Sequence, residues 1–248
     1  MSNFVPISTN LYISENSDWG NYNHEVIHDI IKTIDINFSA ALEVPPFSSC
    51  LCLIEHWDNT PMCSKIPNGR LIHLSTKENY WCQWIYQFAH EYCHHLINGT
   101  FTGDMKGLMW FEETICELSS MFHLALFHSS WSQSLEGYQN RYAPSFQDYL
   151  DDLLSKHAQL ISDTHHPEFL RNWIPLLEQQ TYHRDYYNAL SVRMFPLFVG
   201  NPHLWKMILH FGDMRQWDSL EDLFQHLERY ATVDYVHSLK ELRLLLFS

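Results

Sequence analysis

Apolar residues recur along this chain with two periods, and the change of period marks its organisation. From Glu25 to Ile36 the apolar positions Val26, Ile27, Ile30, Ile31 and Ile34 follow helical spacing. Pro45-Pro46 breaks that pattern. Cys50–Ile54 and Arg70–Leu74 are short apolar runs, separated by the turn signals Asn59-Thr60-Pro61 and Pro67-Asn68-Gly69, so two or three strands are expected here. The first twenty residues read as polar and irregular, with no regular element expected.

Ser75-Thr76-Lys77-Glu78 has the form of a capping box, which predicts a helix from there to Ile97, ended by Asn98-Gly99. Trp81, Trp84, Ile85, Phe88, Tyr92 and Leu96 form its apolar stripe. A second helix is predicted from Leu108 to His128. Phe111, Ile115, Leu118 and Phe122 make one face, and Glu113, Glu117, Ser120 and Leu124 lie nearly opposite. Met109, Cys116 and Met121 fill the surface between, so this helix is apolar almost all round and its acids should be partly buried. From about Ser145 onward only helices are expected: Phe146–Ile161, Pro167–Gln179, Asp185–Val199, Pro202–His210, Leu220–Tyr230 and Val233–Phe247. Asp218-Ser219-Leu220-Glu221 signals a further capped start. The expected fold is α+β. A small N-terminal sheet and two metal-bearing helices form a core over 1–140, and a helical portion follows over 141–248.

Composition narrows the class. At 248 residues, with 46% hydrophobic and 15% aromatic residues, the chain can bury a substantial core. Its formal charge of −14 argues against nucleic acid as a partner. No run approaches the roughly 20 apolar residues of a membrane span. The start, Met1 to Asn10, lacks the pattern of a signal peptide, so the cytoplasm is the expected compartment. Six scattered cysteines without a C-x-x-C pair read as buried free thiols, with a Cys52–Cys63 link or a second metal site as the alternatives.

The chemistry concentrates in His90-Glu91-Tyr92-Cys93-His94. On a helix, His90 and His94 share a face one turn apart. A helical histidine pair packed on a neighbour is common, so the motif gains weight only from its setting. Glu113 follows on the next helix, nineteen residues beyond His94. The connection near Gly99–Gly107 would let the two helices pack antiparallel. Between Lys106 and Arg141 there is no Lys or Arg to pair with buried acids, and a divalent cation would balance them. Two imidazoles and one carboxylate make a three-ligand zinc site with one position open. Glu117, one turn after Glu113, is placed to hydrogen-bond the free ring nitrogen of a ligand histidine. Glu112 could be solvated or touch a substrate amine. His95 reads as a helix-surface or supporting histidine.

H-E-x-x-H followed by Trp110-Phe111-Glu112-Glu113-Thr114 resembles the gluzincin zinc metallopeptidases, in particular the catalytic domain of the M1 aminopeptidase branch, whose second motif is typically W-L-N-E-G. Tyr186-Tyr187-Asn188-Ala189 and the later Gly200-Asn201-Pro202 are similar to that branch's tyrosine helix and the turn after it. The resemblance, which spans about residues 70–230, implies one zinc held by His90, His94 and Glu113. It implies Glu91 as general base in peptide-bond hydrolysis. Tyr186, or Tyr187 one residue away, would donate a hydrogen bond to the transition state. The branch's G-x-M-E-N element is absent, so aminopeptidase specificity is not implied. The strand Arg70–Leu74 is the candidate edge strand for pairing with a peptide or protein substrate. Two other readings stay open: a regulatory zinc protease that cleaves repressors, and a non-catalytic, zinc-stabilised interaction or regulatory protein. Oligomeric state is not legible.

Overall fold

A computed structural model of the chain describes residues 3–43, 50–99, 108–179, 183–215 and 218–247. It is α+β, with a five-stranded mixed sheet followed mainly by helices. The strands are β1 (Phe4–Ser8), β2 (Leu11–Ser14), β3 (Leu51–His56), β4 (Met62–Ile66) and β5 (Gly69–Leu74), in the order β1-β2-β3-β5-β4. β2, β3 and β5 run parallel, whereas β1 and β4 pair antiparallel at the two edges.

The first two strands correct the irregular reading of the N-terminus. Asn10 adopts a left-handed φ of 61° at the turn, and Leu11 and Ile13 point into the core. A four-residue strand shows too little alternation to stand out in sequence. The Cys50–Ile54 and Arg70–Leu74 runs appear as β3 and β5, and the expected third strand is β4. The edge is β4, not the Arg70–Leu74 strand, because the short turn at Asn68-Gly69 folds β4 back outside β5. Gly69 is required there: a Cβ would lie 2.1 Å from the Leu51 carbonyl oxygen of β3.

Helix α1 (His24–Leu42) crosses between β2 and β3 and buries Val26, Ile27, Ile30, Ile31 and Ile34, as their spacing predicts. Its buried Asp35 accepts hydrogen bonds from Ser8 Oγ at 2.7 Å and Tyr92 Oη at 2.6 Å, which ties the helix to β1 and to α2 (Trp81–Asn98). The Pro45-Pro46 break lies outside the described residues.

α2 starts later than its capping signal. Glu78 takes a left-handed φ of 52° while its N–H bonds to the Trp19 carbonyl, so the chain cannot be helical there. Ser75 and Thr76 instead donate their backbone N–H groups to the Gln87 side chain, from the middle of α2. α3 (Met109–Ser132) packs antiparallel to α2. Asn98 meets Glu112 near one end of the pair, and Ser119 and Ser120 donate to the carbonyls of Ala89 and Tyr86 further along. The connection at 100–107 lies outside the described residues.

The remaining helices are α4 (Gly137–Ser155), α5 (Ala158–Asp163), α6 (Pro167–Gln179), α7 (Arg184–Gly200), a 3₁₀ helix (Pro202–Asp213), α8 (Leu220–Tyr230) and α9 (Val233–Phe247). α6, α8 and α9 have their expected bounds. The Phe146–Ile161 segment divides into α4 and α5, and α4 begins before Pro144. Tyr142 and Phe146, one turn apart, pack on Trp131, and Tyr142 also meets Trp81. That aromatic contact offsets the hydrogen bond lost at Pro144. The boundary at 140 falls inside α4, and one continuous cluster of buried side chains extends from Leu11 to Leu246. The capping box of α8 is made by Ser219 and Asp222, one residue along from the Asp218–Glu221 pattern.

Candidate metal centre and cleft

Two helices build the centre. His90 and His94 lie on the face of α2 turned towards α3, with ring centroids 5.1 Å apart. Glu113 enters from the first turns of α3. One oxygen lies 3.4 Å from His90 Nε2 and the other 3.3 Å from His94 Nε2. Ligand atoms of these three side chains fall within 4.8 Å of one another, so they can hold a metal ion. The side chain of Glu113 is 41% exposed, whereas both rings are largely buried.

A second carboxylate stands behind each ring. His94 Nδ1 lies 2.6 Å from Glu112 Oε1, and the Asn98 amide donates to the same oxygen at 2.9 Å. His90 Nδ1 lies 3.7 Å from Glu117 Oε2. Glu117 is held in turn by the Tyr86 hydroxyl, which donates at 2.6 and 2.8 Å to its two oxygens. Both supporting acids are buried, as the all-round apolarity of α3 predicts. Glu112 is therefore not solvated: it is buried against His94 of α2, although it also lines the cleft described below. Its partner was concealed in the sequence because the contact forms only when α2 and α3 pack.

These contacts set the proton affinities. Burial lowers the His90 pKa, but the facing Glu113 and Glu117 carboxylates outweigh it and raise the value to about 9. Burial likewise opposes, and Glu112 and Glu113 override, a rise of His94 well above its ordinary value. Glu113 and Glu117 are each raised by burial but driven down further by the histidines. Two imidazolium protons carry the charge of one divalent cation, so a metal ion can replace them without changing the charge of the site. His95 is not on the surface. It is buried, stacks on Tyr92 at 5.3 Å, and is lowered to about 4 by burial and then by Arg70.

The centre opens into a cleft of about 600 Å³, whose walls include His90, Glu91, His94 and Glu113, Met62 and Cys63 of β4, and Arg184. Glu91 is buried, yet it lines this space beside the metal-binding group. No protein-family model matches the chain, and no curated protein matches it.

Tyr186 is not brought to the cleft. It packs on Trp173 with ring centroids 3.7 Å apart and lines a separate cavity of about 180 Å³. Tyr187 is buried, and its hydroxyl accepts the His183 N–H at 2.9 Å. The reason is helical phase. Arg184 and Asn188, one turn apart on α7, line the cleft or its side arm, and Tyr186 lies about 200° around from Arg184. Sequence reasoning missed Arg184, whose only signal was its position one turn before Asn188.

All six cysteines are free thiols. A second group, His210, Asp213 and His226, also has ligand atoms within 4.8 Å of one another. Its Asp213 Oδ2 lies 3.0 Å from His226 Nε2. Among the described residues no helix is long and apolar enough to cross a membrane.

Proposed function

We propose that the chain is a zinc-dependent peptide-bond hydrolase of gluzincin type. The observation that carries this reading is the geometry of Glu113, with its two oxygens 3.4 and 3.3 Å from the facing nitrogens of His90 and His94. In a tetrahedral site with bonds near 2.0–2.1 Å, the distance between neighbouring ligand atoms is about 3.3 Å. A carboxylate at that spacing from each imidazole, with one ligand atom of each side chain within 4.8 Å of the others, suits zinc and leaves a fourth position facing the cleft. A structural site would close that position with a fourth protein ligand, and it has no use for an acid such as Glu91 beside it.

Zinc, when bound, supplies the Lewis acidity that lets water lose its proton near neutral pH and polarises a carbonyl. The side chains do the rest. Glu91 takes the proton of the attacking water and returns it to the departing amine. Glu112 and Glu117 hold the imidazoles so that each Nε2 faces Glu113. The outer edge of β4, the last strand of the sheet among the described residues, offers backbone groups to an extended peptide.

The test is elemental analysis of protein purified without a metal-affinity tag, beside Glu113→Ala and His226→Ala. Zinc present in the wild type, lost in Glu113→Ala and kept in His226→Ala locates it at this centre. Peptide hydrolysis that stops on chelation and returns with zinc establishes the activity. Metal content indifferent to Glu113 overturns the reading.

A further inference from the structure

The whole protein has 15 Lys and Arg against 29 Asp and Glu, yet its cleft shows the opposite balance. Away from the metal centre's own acids, the charged residues that line the cleft and its two side arms are cations. Arg70 and Lys65 lie at one end, and Arg184 and Lys156 at the other. Among the described residues no Asp or Glu lines either arm except Glu91 itself. Arg184 and Lys156 are exposed, and among the described residues neither forms an ion pair or a side-chain hydrogen bond. In a chain this acidic, four cations along one groove, of which Arg70 also donates to the Asn98 carbonyl at 3.2 Å, call for an anionic occupant.

The direction of the groove shows which part of a peptide meets which cations. Along β4, Thr60 and Pro61, just before the strand, border the Arg184 arm of about 250 Å³, and Lys65 and Ile66 border the opposite arm. Along α2 the same order holds: Tyr86 and Gln87 line the first arm, and Asn98 and Gly99 the second. A peptide pairing antiparallel to the β4 edge, the commoner pairing, enters with its N-terminal part at Lys65 and Arg70. The residue after the scissile bond then lies against Arg184, Lys156 and the Asn188 amide.

Resting on the reading of this site as a peptidase, we propose that the cleft selects acidic peptides and that Arg184 and Lys156 bind a carboxylate just beyond the scissile bond. That carboxylate comes either from an Asp or Glu side chain or from the peptide's own C-terminus. The opposite cations favour a further acidic residue before the bond.

The test uses the zinc-loaded full chain and quenched fluorogenic peptides in matched sets. Asp or Glu is replaced by Asn or Gln on each side of the cleaved bond, and the C-terminus is free or amidated. The acidic members should be cleaved with kcat/KM higher by about tenfold per leaving-side carboxylate, the scale of one charge-assisted hydrogen bond. The advantage should shrink as salt is raised. The free-acid and amide pair tells a chain-end carboxylate from a side-chain one. Arg184→Gln combined with Lys156→Gln should remove the leaving-side preference while cleavage of the amide set persists. A binding measurement separates this proposal from the reading beneath it. Zinc-loaded Glu91→Gln should hold labelled acidic peptides more tightly than their amide counterparts by fluorescence anisotropy, whether or not the wild type cleaves them. Cleavage of acidic and amide sets at equal kcat/KM would overturn the proposal and leave the hydrolase standing. Tight acidic-peptide binding without cleavage would support the proposal and sink the hydrolase.

Discussion

Glu112 Oε1 lies 2.6 Å from His94 Nδ1, so the residue beside Glu113, rather than a distant one, holds the second histidine of the pair. Glu112 and Glu113 are consecutive on α3 and diverge by about 100°. One reaches the back of the ring and the other its front. Replacing Glu112 with Ala should lower zinc affinity by roughly 10–100-fold, because a ligand imidazole loses the acceptor that orients it. Competition against a zinc chelator measures this directly. Unchanged affinity would reduce the Glu112–His94 contact to packing.

On the other histidine the support is relayed. Burial, then the neighbouring Glu117 carboxylate, pushes the Tyr86 hydroxyl well above its ordinary pKa, so it stays a proton donor to both Glu117 oxygens. Tyr86→Phe removes the one hydroxyl proton that the two oxygens of this buried carboxylate share. The cost should be about 1–3 kcal/mol of folding stability, read from urea denaturation. Glu117→Gln added to Tyr86→Phe should recover part of that loss, because the leftover group is then uncharged. If the double variant is no more stable than the single one, the penalty does not arise from the stranded charge.

The motif helices were legible because their information is local. His90, Glu91 and His94 share one turn of α2, and Glu113 sits on a helix whose acids had no basic neighbour in sequence. What misled was information that only packing supplies. Glu78 is held out of the helix by Trp19, 59 residues earlier in the chain, so the capping signal at Ser75 went unused. The tyrosine at 186 sits in a motif-like string, but the phase of α7 is set by contacts with α3, including Ser191 Oγ donating to the Thr114 carbonyl at 3.0 Å. That phase turns Arg184 and Asn188 to the cleft side and Tyr186 away from it.

A buried histidine outside the site gives the fold its own pH dependence. His123 donates through Nδ1 to the Ser119 carbonyl at 2.9 Å, while Nε2 is buried without a hydrogen-bond partner among the described residues. Burial, partly offset by that carbonyl, lowers its pKa to about 4. Between about 6.5, the ordinary value, and 4, the unfolded chain takes up a proton that the folded chain refuses. Stability is therefore present in full above 6.5 and is lost as pH falls through this window. From pH 7.5 to 5 this one group should cost on the order of 2 kcal/mol. His123→Phe, which keeps a flat ring beside Phe38, should unfold in urea with a correspondingly smaller difference between those two pH values. An unchanged difference would place the sensitivity elsewhere.

Glu91 separates metal binding from chemistry. It lies within the cleft beside the three side chains that are in range to hold a metal ion but is not one of them. Removing its charge should therefore leave zinc content intact. Glu91→Gln keeps size and hydrogen-bonding capacity but cannot accept the proton of the attacking water, so kcat should fall by about 10²–10⁴ with zinc still at the wild-type level. Glu113→Ala should instead lose both metal and turnover together. The contrast needs elemental analysis and a peptide assay on the same preparations. Zinc lost from Glu91→Gln would mean that this acid holds the metal rather than the proton, and full activity with zinc retained would remove it from the mechanism altogether.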